Sequence, residues 1–177
     1  VKLNTKVEYF IVNAAECEPL IETDKYLCRT FADRIVKTIP VIAESLGASR
    51  KVIALKGAYE KEIAALREAI KNSGSDVEIF EMGYFYPAGD EQTLIQQVTG
   101  RCVPERGLPS DVGCVVDNVG TVLNIADALE GKAVTEKYLS VVGEVTHTMQ
   151  LHVPIGTSVL ECVRAAKPTI SEFALIM

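Results

Sequence analysis

An α/β fold built on a parallel sheet is what this sequence predicts, and three observations predict it. Short apolar runs alternate with amphipathic stretches at helical spacing through about residue 133. The runs are apolar throughout rather than alternating with polar residues, so both faces of each strand must be covered, as in a parallel sheet between two helical layers. Several runs also end abruptly in polar, turn-forming residues, and open α/β sheets bind ligands outside the carboxyl ends of their strands.

Tyr9 to Val12 is the first buried strand. The chain turns polar at Asn13 and presents Glu16 and Glu18 just before Pro19. Pro19 disfavours a helical backbone at Glu18, so the two acids lie on a turn. Glu22 to Cys28 predicts a short helical turn. Thr30-Phe31-Ala32-Asp33 has the looser capping-box spacing at a second helix start. Phe31, Ile35, Ile39, Ile42 and Leu46 then recur at helical spacing as far as Gly47, with Pro40 predicting a kink or break inside.

Lys51 to Lys56 is the second strand. Glu60 to Asn72 is a helix with Ile63, Leu66 and Ile70 inward, and Val77 to Met82 is the third strand. A long loop, Gly83 to Asp90, leads into a helix over Glu91 to Thr99. Gly100 to Asp111 is polar and turn-rich. Val112 to Val116 is the fourth strand, and a helix from Asn118 to Leu129 starts at its end, closed by Gly131.

Beyond Ala133 the pattern changes. Tyr138 to Val145 and Met149 to Val153 read as a hairpin, Gly156-Thr157-Ser158 caps a helix over Val159 to Ala166, and Phe173 to Met177 reads as a strand. Strand, strand, helix, strand is the first part of a β-grasp module. The expected division is therefore 1–133 for the sheet domain and 134–177 for a partial β-grasp domain.

The chain has 177 residues, 48% of them apolar, enough for one large domain or one domain with a small partner. A net charge of -6 without a long run of one sign argues against a nucleic-acid or anionic-membrane surface. No apolar window is long enough to insert into a bilayer. The five cysteines include no C-x-x-C pair, which argues against a disulfide framework or a local zinc or iron–sulfur site. Reduced thiols in cytoplasm are the simplest expectation. The chain opens on Val1 within a structured-looking run and closes on an apolar segment, so both ends are expected to be cuts from a longer protein.

Three groups of polar residues could converge at strand ends: Asn13, Glu16, Cys17 and Glu18; Gly89, Asp90 and Glu91; and Asp117-Asn118-Val119-Gly120-Thr121. The last is a strand-to-helix junction, where helix N–H groups and the dipole suit an anionic or carbonyl group and Gly120 lets a ligand approach the backbone. Each piece also has a purely structural reading, Asn118 as a helix cap, Thr121 as a first-turn residue and Gly89 as a turn.

N-A-A-E-C-E-P, Y-P-A-G-D-E-Q-T-L, T-G-R-C-V-P-E-R-G-L-P-S-D-V-G and V-V-D-N-V-G-T, in that order, resemble the C subunit of Rnf-type ferredoxin:NAD oxidoreductases. They are also similar to the electron-transfer protein associated with proline reductase and, more remotely, to the NADH-oxidising flavoprotein subunit of respiratory complex I. The resemblance implies a Rossmann-like FMN-binding domain followed by a soluble-ligand-binding β-grasp domain, with hydride passing between NAD(H) and FMN. It places Asn13 and Glu16 against the flavin and Glu18 nearer the nicotinamide nucleotide. Gly89, Asp90 and Glu91 fall on the second flavin and NADH loop, and Val116, Asp117, Asn118 and Thr121 on the junction that contacts FMN.

Such a protein transfers hydride between two cofactor rings, so the side chains position and tune rather than donate a proton. Glu18 or Glu91 beside the adenosine ribose would repel the extra phosphate of NADP. The resemblance further implies other subunits of a redox complex as partners, a peripheral place on the cytoplasmic membrane face, and iron–sulfur clusters in a following segment. The glycine-rich loop for the FMN phosphate is expected just before Val1, so the isolated fragment should be inactive.

Two departures stand out. The complex I relatives carry aspartate where this chain has Ala15, and asparagine where it has Asp117. They keep open a flavin-free docking module, and a plain nucleotide-binding domain is a third alternative. Cys17 is either a redox thiol or a small packed residue. Arg101 and Arg106 could pair with a nucleotide phosphate or lie on a solvated loop. His147 and His152 are too far apart on the hairpin to share a metal on one strand face.

Overall fold

The computed structural model describes residues 5–176. Four strands, β1 (Tyr9–Asn13), β2 (Arg50–Lys56), β3 (Glu78–Met82) and β4 (Cys114–Asn118), pair in parallel in the order β3-β2-β1-β4. The chain builds outward from β1 to β3 on one side, then returns to place β4 on the other. The order therefore reverses between β1 and β4, which is where open sheets form a crevice at their carboxyl edge.

Helices α1 (Thr23–Thr30), α2 (Ala32–Leu46), α3 (Glu60–Ser73), α4 (Glu91–Thr99) and α5 (Val119–Leu129) complete this part. Side chains alternate across a strand, and here both sets are buried. Ile11, Ala54, Met82 and Cys114 pack with Leu94 and Ile95 of α4, joined by Ala15 and Ala88. Phe10, Val12, Ile53 and Leu55 occupy the alternate positions and are fully buried. α2 packs on β1 and β2 and against α3 and α5. Each large apolar side chain so buried contributes about 1.5–3 kcal/mol. Glu62, the one buried acid among the described residues, is paired with Arg29 at 2.7 Å.

The sheet and its helices follow the apolar runs, with four local corrections. Thr30 does not cap α2: Phe31 N–H still bonds Leu27 O at 2.9 Å, so Thr30 belongs to the preceding helix. α2 does not break at Pro40. The missing N–H costs about 3 kcal/mol in an isolated helix, but the buried row Ile35, Val36, Ile39, Ile42 and Ala43 holds this one together. β4 starts two residues later than its apolar run, because Pro109–Val112 forms a 3-10 turn ended by Gly113 at φ 76°. Finally, Phe173 to Ile176 forms no strand, and Met177 lies outside the described residues. Among the described residues that run meets no strand edge, and apolar sequence alone cannot fix a ladder.

The chain divides into two compact units. The first runs to Cys17 and resumes over Asp24–Lys132; the second comprises Glu18–Thr23 and the chain from Ala133 onward. In the second, β5 (Glu136–Val141) and β6 (Met149–Pro154) form an antiparallel pair, followed by α6 (Val159–Ala165). Glu22 N–H donates to Ser140 Oγ at 3.2 Å, which ties the short segment to the hairpin. An isolated antiparallel bridge joins Val145 to Pro168.

Candidate functional site

Asn13 closes β1 on the face that also carries Ile11, the face α4 covers. That orientation lets its amide reach the second loop, where Asn13 Nδ2 donates to Gly89 O at 2.9 Å. Its Oδ1 accepts from Ala15 N–H at 3.1 Å, turning the chain away from the strand. Gly89 N–H in turn donates to Cys17 Sγ at 2.8 Å. Both polar groups of Gly89 are thus held by side chains of the first motif. A Cβ at Gly89 would lie 2.3 Å from Ala15 O and 3.0 Å from Cys17 Sγ. The glycine is required by loop-on-loop contact, whatever else it touches.

Across the sheet, Asn13 is the register partner of Asn118. Asn118 caps α5, its Oδ1 accepting from Gly120 N–H at 2.7 Å while its Nδ2 donates to Asp24 at 2.8 Å. A Cβ at Gly120 would come within 3.0 Å of that Oδ1, so glycine spares the cap. Asp90 caps α4 by accepting from Thr93 N–H and Thr93 Oγ1, each at 2.9 Å. Val116 packs against the α4 cluster, and Thr121 is exposed on the first turn of α5.

Two carboxyls meet electrostatically between the second loop and the junction. Burial pushes the Glu91 carboxyl up, and the charges of Asp90 and Asp117 add to the shift. Burial pushes Asp117 up as well. A carboxyl whose native value is raised stabilises the fold at low pH, and that contribution is lost as pH rises through the native value. Asp117→Asn is therefore expected to raise the melting temperature at pH 7 and to flatten the dependence of stability on pH, as melting curves from pH 4 to pH 8 would show. A melting temperature unchanged or lowered at pH 7 would contradict this account of Asp117.

The structure thus brings together Asn13, Gly89, Glu91, Asp117 and Asn118, with Asp90 and Thr121 at the helix starts behind them. Glu16 is half-buried on the same loop. Glu18 is exposed and belongs to the second unit. Cys17 acts as an acceptor for a backbone N–H rather than as a packed hydrophobe. Ala15 is only 3% exposed in an apolar cluster, so an aspartate would be poorly placed there.

Arg101 is committed elsewhere, paired with Glu8, bonded to Val112 O at 2.9 Å and stacked over Tyr9 at the opposite end of the sheet. His152 stacks on Tyr138 and meets Glu136 at 3.0 Å. Sequence reasoning missed Lys56 and Tyr59, which both bond the carbonyl of Glu16. Their only signal in the sequence was position at the end of β2.

The donor set fits the polyhydroxyl parts of a flavin nucleotide. Glu91, Asp117 and Thr121 can accept from ribityl or ribose hydroxyls. Each asparagine commits one amide N–H to the protein and keeps a second that a ligand could meet. Among the described residues no helix is long and apolar enough to cross a membrane.

Comparison with known proteins gives the family and the fold. Residues 1–127 match the family described as the Nuo51 FMN-binding domain. The chain is 41% identical to the cobalamin reductase PduS of Citrobacter freundii over 94% of its length and 36% of that protein's. It is 34% identical to the C subunit of the proton-translocating ferredoxin:NAD(+) oxidoreductase complex of Clostridium ljungdahlii, covering 89% of this chain and 35% of that one. It therefore spans about a third of the length of these relatives. An NAD+-reducing [NiFe]-hydrogenase superposes with a TM-score of 0.80 at 23% identity, over 92% of this chain and 33% of that chain, which establishes the shared fold. With a match over most of its sheet unit and these relatives, the chain belongs to the Nuo51 FMN-binding domain family.

Proposed function

We propose that this chain is the FMN- and NAD(H)-handling part of an electron-transfer oxidoreductase, within one subunit of a larger redox complex. The carrying observation is that Asn13 is at once the register partner of Asn118 and bonded to Gly89, so three loop ends share one carboxyl edge. The names of the relatives support a redox role, one naming cobalamin and the other ferredoxin and NAD. The finer reading is a complex of the Rnf type, or one linked to proline or cobalamin reduction, peripheral to the cytoplasmic membrane face. Iron–sulfur clusters lie in a further segment of such a protein, and residues 134–177 belong to a β-grasp domain.

FMN, when bound, supplies the ring that takes hydride from NADH and passes the electrons onward. The chain's own residues bind and orient. Asn13 and Gly89 fix the two loops against each other, Glu91 and Asp117 accept from sugar or ribityl hydroxyls, and Thr121 adds a hydroxyl at the α5 terminus. Glu16 lines the same loop. Glu18 or Glu91 disfavours the extra phosphate of NADP by charge repulsion.

A specific observation favours a second reading, a flavin-free docking module: both asparagines engage the protein through their amides, and Ala15, where the complex I relatives carry aspartate, is buried in an apolar cluster. Anaerobic NADH titration separates the two. Protein as the cell makes it, loaded with FMN, is expected to lose its flavin absorbance on addition of roughly one equivalent of NADH per flavin. Protein that takes up no FMN, or keeps its colour with NADH, overturns the redox reading.

A further inference from the structure

The carbonyl oxygen of Glu16 accepts two side-chain hydrogen bonds, from Lys56 Nζ at 2.7 Å and from Tyr59 OH at 3.2 Å. Both donors come from the turn that ends β2, some 40 residues away in the chain. The turn is itself fixed. Tyr59 N–H bonds Lys56 O at 2.9 Å, and Gly57 N–H bonds Met82 O at 3.0 Å at the end of β3. Lys25 Nζ of α1 sits 4.8 Å from the centre of the Tyr59 ring and Lys56 Nζ 5.9 Å, so the ring is held by cations. Burial, then the charges of Glu16 and other neighbours, pushes the Tyr59 hydroxyl up to about 12, so it stays a proton donor throughout the working range.

Other anchors of the first loop lie beside this one. Ala14 N–H bonds Ala54 O at 2.9 Å, Ala15 N–H bonds Asn13, and Cys17 accepts from Gly89. Lys56 and Tyr59 fix the orientation of the peptide between Glu16 and Cys17 from the side of β2. Its rotation sets the directions in which the Glu16 side chain and Cys17 Sγ leave the backbone, and Cys17 is what holds Gly89.

We propose that Lys56 and Tyr59 are positioning residues that lock the Glu16 peptide and so pre-organise the first loop for the flavin. This rests on the FMN reading above. Preorganisation of this kind acts on affinity, because a loop that must be ordered on binding subtracts from the binding energy. The two donors share one acceptor, so either can hold the peptide alone. Their losses should therefore be non-additive, with a coupling energy that a double-mutant cycle reads directly.

The test uses protein as the cell makes it, with Lys56→Met, Tyr59→Phe, the double variant and Lys56→Arg. FMN dissociation constants are read from quenching of flavin fluorescence. Hydrogen exchange of the amides at 14–18 and 86–90 is followed without flavin, and melting temperatures are recorded. Each single loss is expected to weaken FMN only about threefold and the double variant about 30-fold or more, beyond the product of the singles. Lys56→Arg should restore near-normal affinity. Exchange in both segments should accelerate in the flavin-free double variant while the melting temperature stays within about 3 °C. A double variant that binds FMN as the unaltered protein does, or whose loop exchange is unchanged, overturns the proposal. So does a Lys56→Arg variant as weak as Lys56→Met. If the unaltered protein itself takes up no FMN, it is the functional reading that fails, and the exchange arm alone reports on the clamp.

Discussion

Gly89→Ala is expected to give the largest loss of FMN binding of any single methyl added to this chain. The new Cβ would stand 2.3 Å from Ala15 O, a backbone atom that cannot swing aside, and 3.0 Å from Cys17 Sγ. Relief requires the second loop to lift off the first, breaking the bonds from Asn13 Nδ2 and to Cys17 Sγ. Overpacking of this kind costs about 1–3 kcal/mol of stability. Because both loops meet at the carboxyl edge where the flavin is proposed to bind, FMN affinity should fall at least about tenfold, as a fluorescence titration would show. Gly74→Ala is the control. Its Cβ would meet nothing within 4 Å, although its φ of 64° also strains alanine. Its stability cost should come without loss of FMN affinity.

Asn13→Ala carries the second large effect. The side chain bridges two loops, accepting from Ala15 N–H and donating to Gly89 O. Alanine strands both backbone groups at a half-buried position. Each unsatisfied group costs about 1–3 kcal/mol when water cannot reach it, so a total near 2 kcal/mol is expected here, where water partly can. Chemical denaturation measures it. Asn13→Asp keeps the acceptor and loses the donor, so it should fall between wild type and alanine. FMN affinity should follow the same order, because what is lost is the alignment of the first loop with the second.

These two residues show how much of the site the sequence discloses. The apolar run Tyr9 to Val12 and the amide that follows it are legible, because a strand buried on both faces has no other reading. The convergence of Asn13, Gly89 and Asn118 was legible from their places at strand and loop ends and was sharpened by the resemblance of the motifs; the geometry adds the reason. Asn13 and Asn118 are register partners, and α4 lies on Asn13's face. What the two asparagines do was not legible. An amide at a strand end looks the same whether it faces a ligand or ties a loop, and only the positions of Gly89 O and Asp24 decide.

Elsewhere tertiary structure overrode local signals. Thr30 has the spacing of a cap, but the preceding helix absorbed it. The apolar run Phe173 to Ile176 has strand composition but forms no strand. Lys56 and Tyr59 escaped notice because a lysine and a tyrosine after a strand are ordinary, and their common target, the Glu16 carbonyl, is a backbone atom that no side-chain pattern reveals.

The central claim is that the ends of β1 and β4 and the start of α4 hold one flavin between them. Hydrogen exchange on the whole protein, with and without FMN, tests it most directly. Peptides covering 13–18, 88–93 and 116–122 are expected to gain protection together at one FMN concentration, while the far end of the sheet around Glu8 and Arg101 does not change. Protection confined to one of the three, or appearing instead around Arg101, would contradict it.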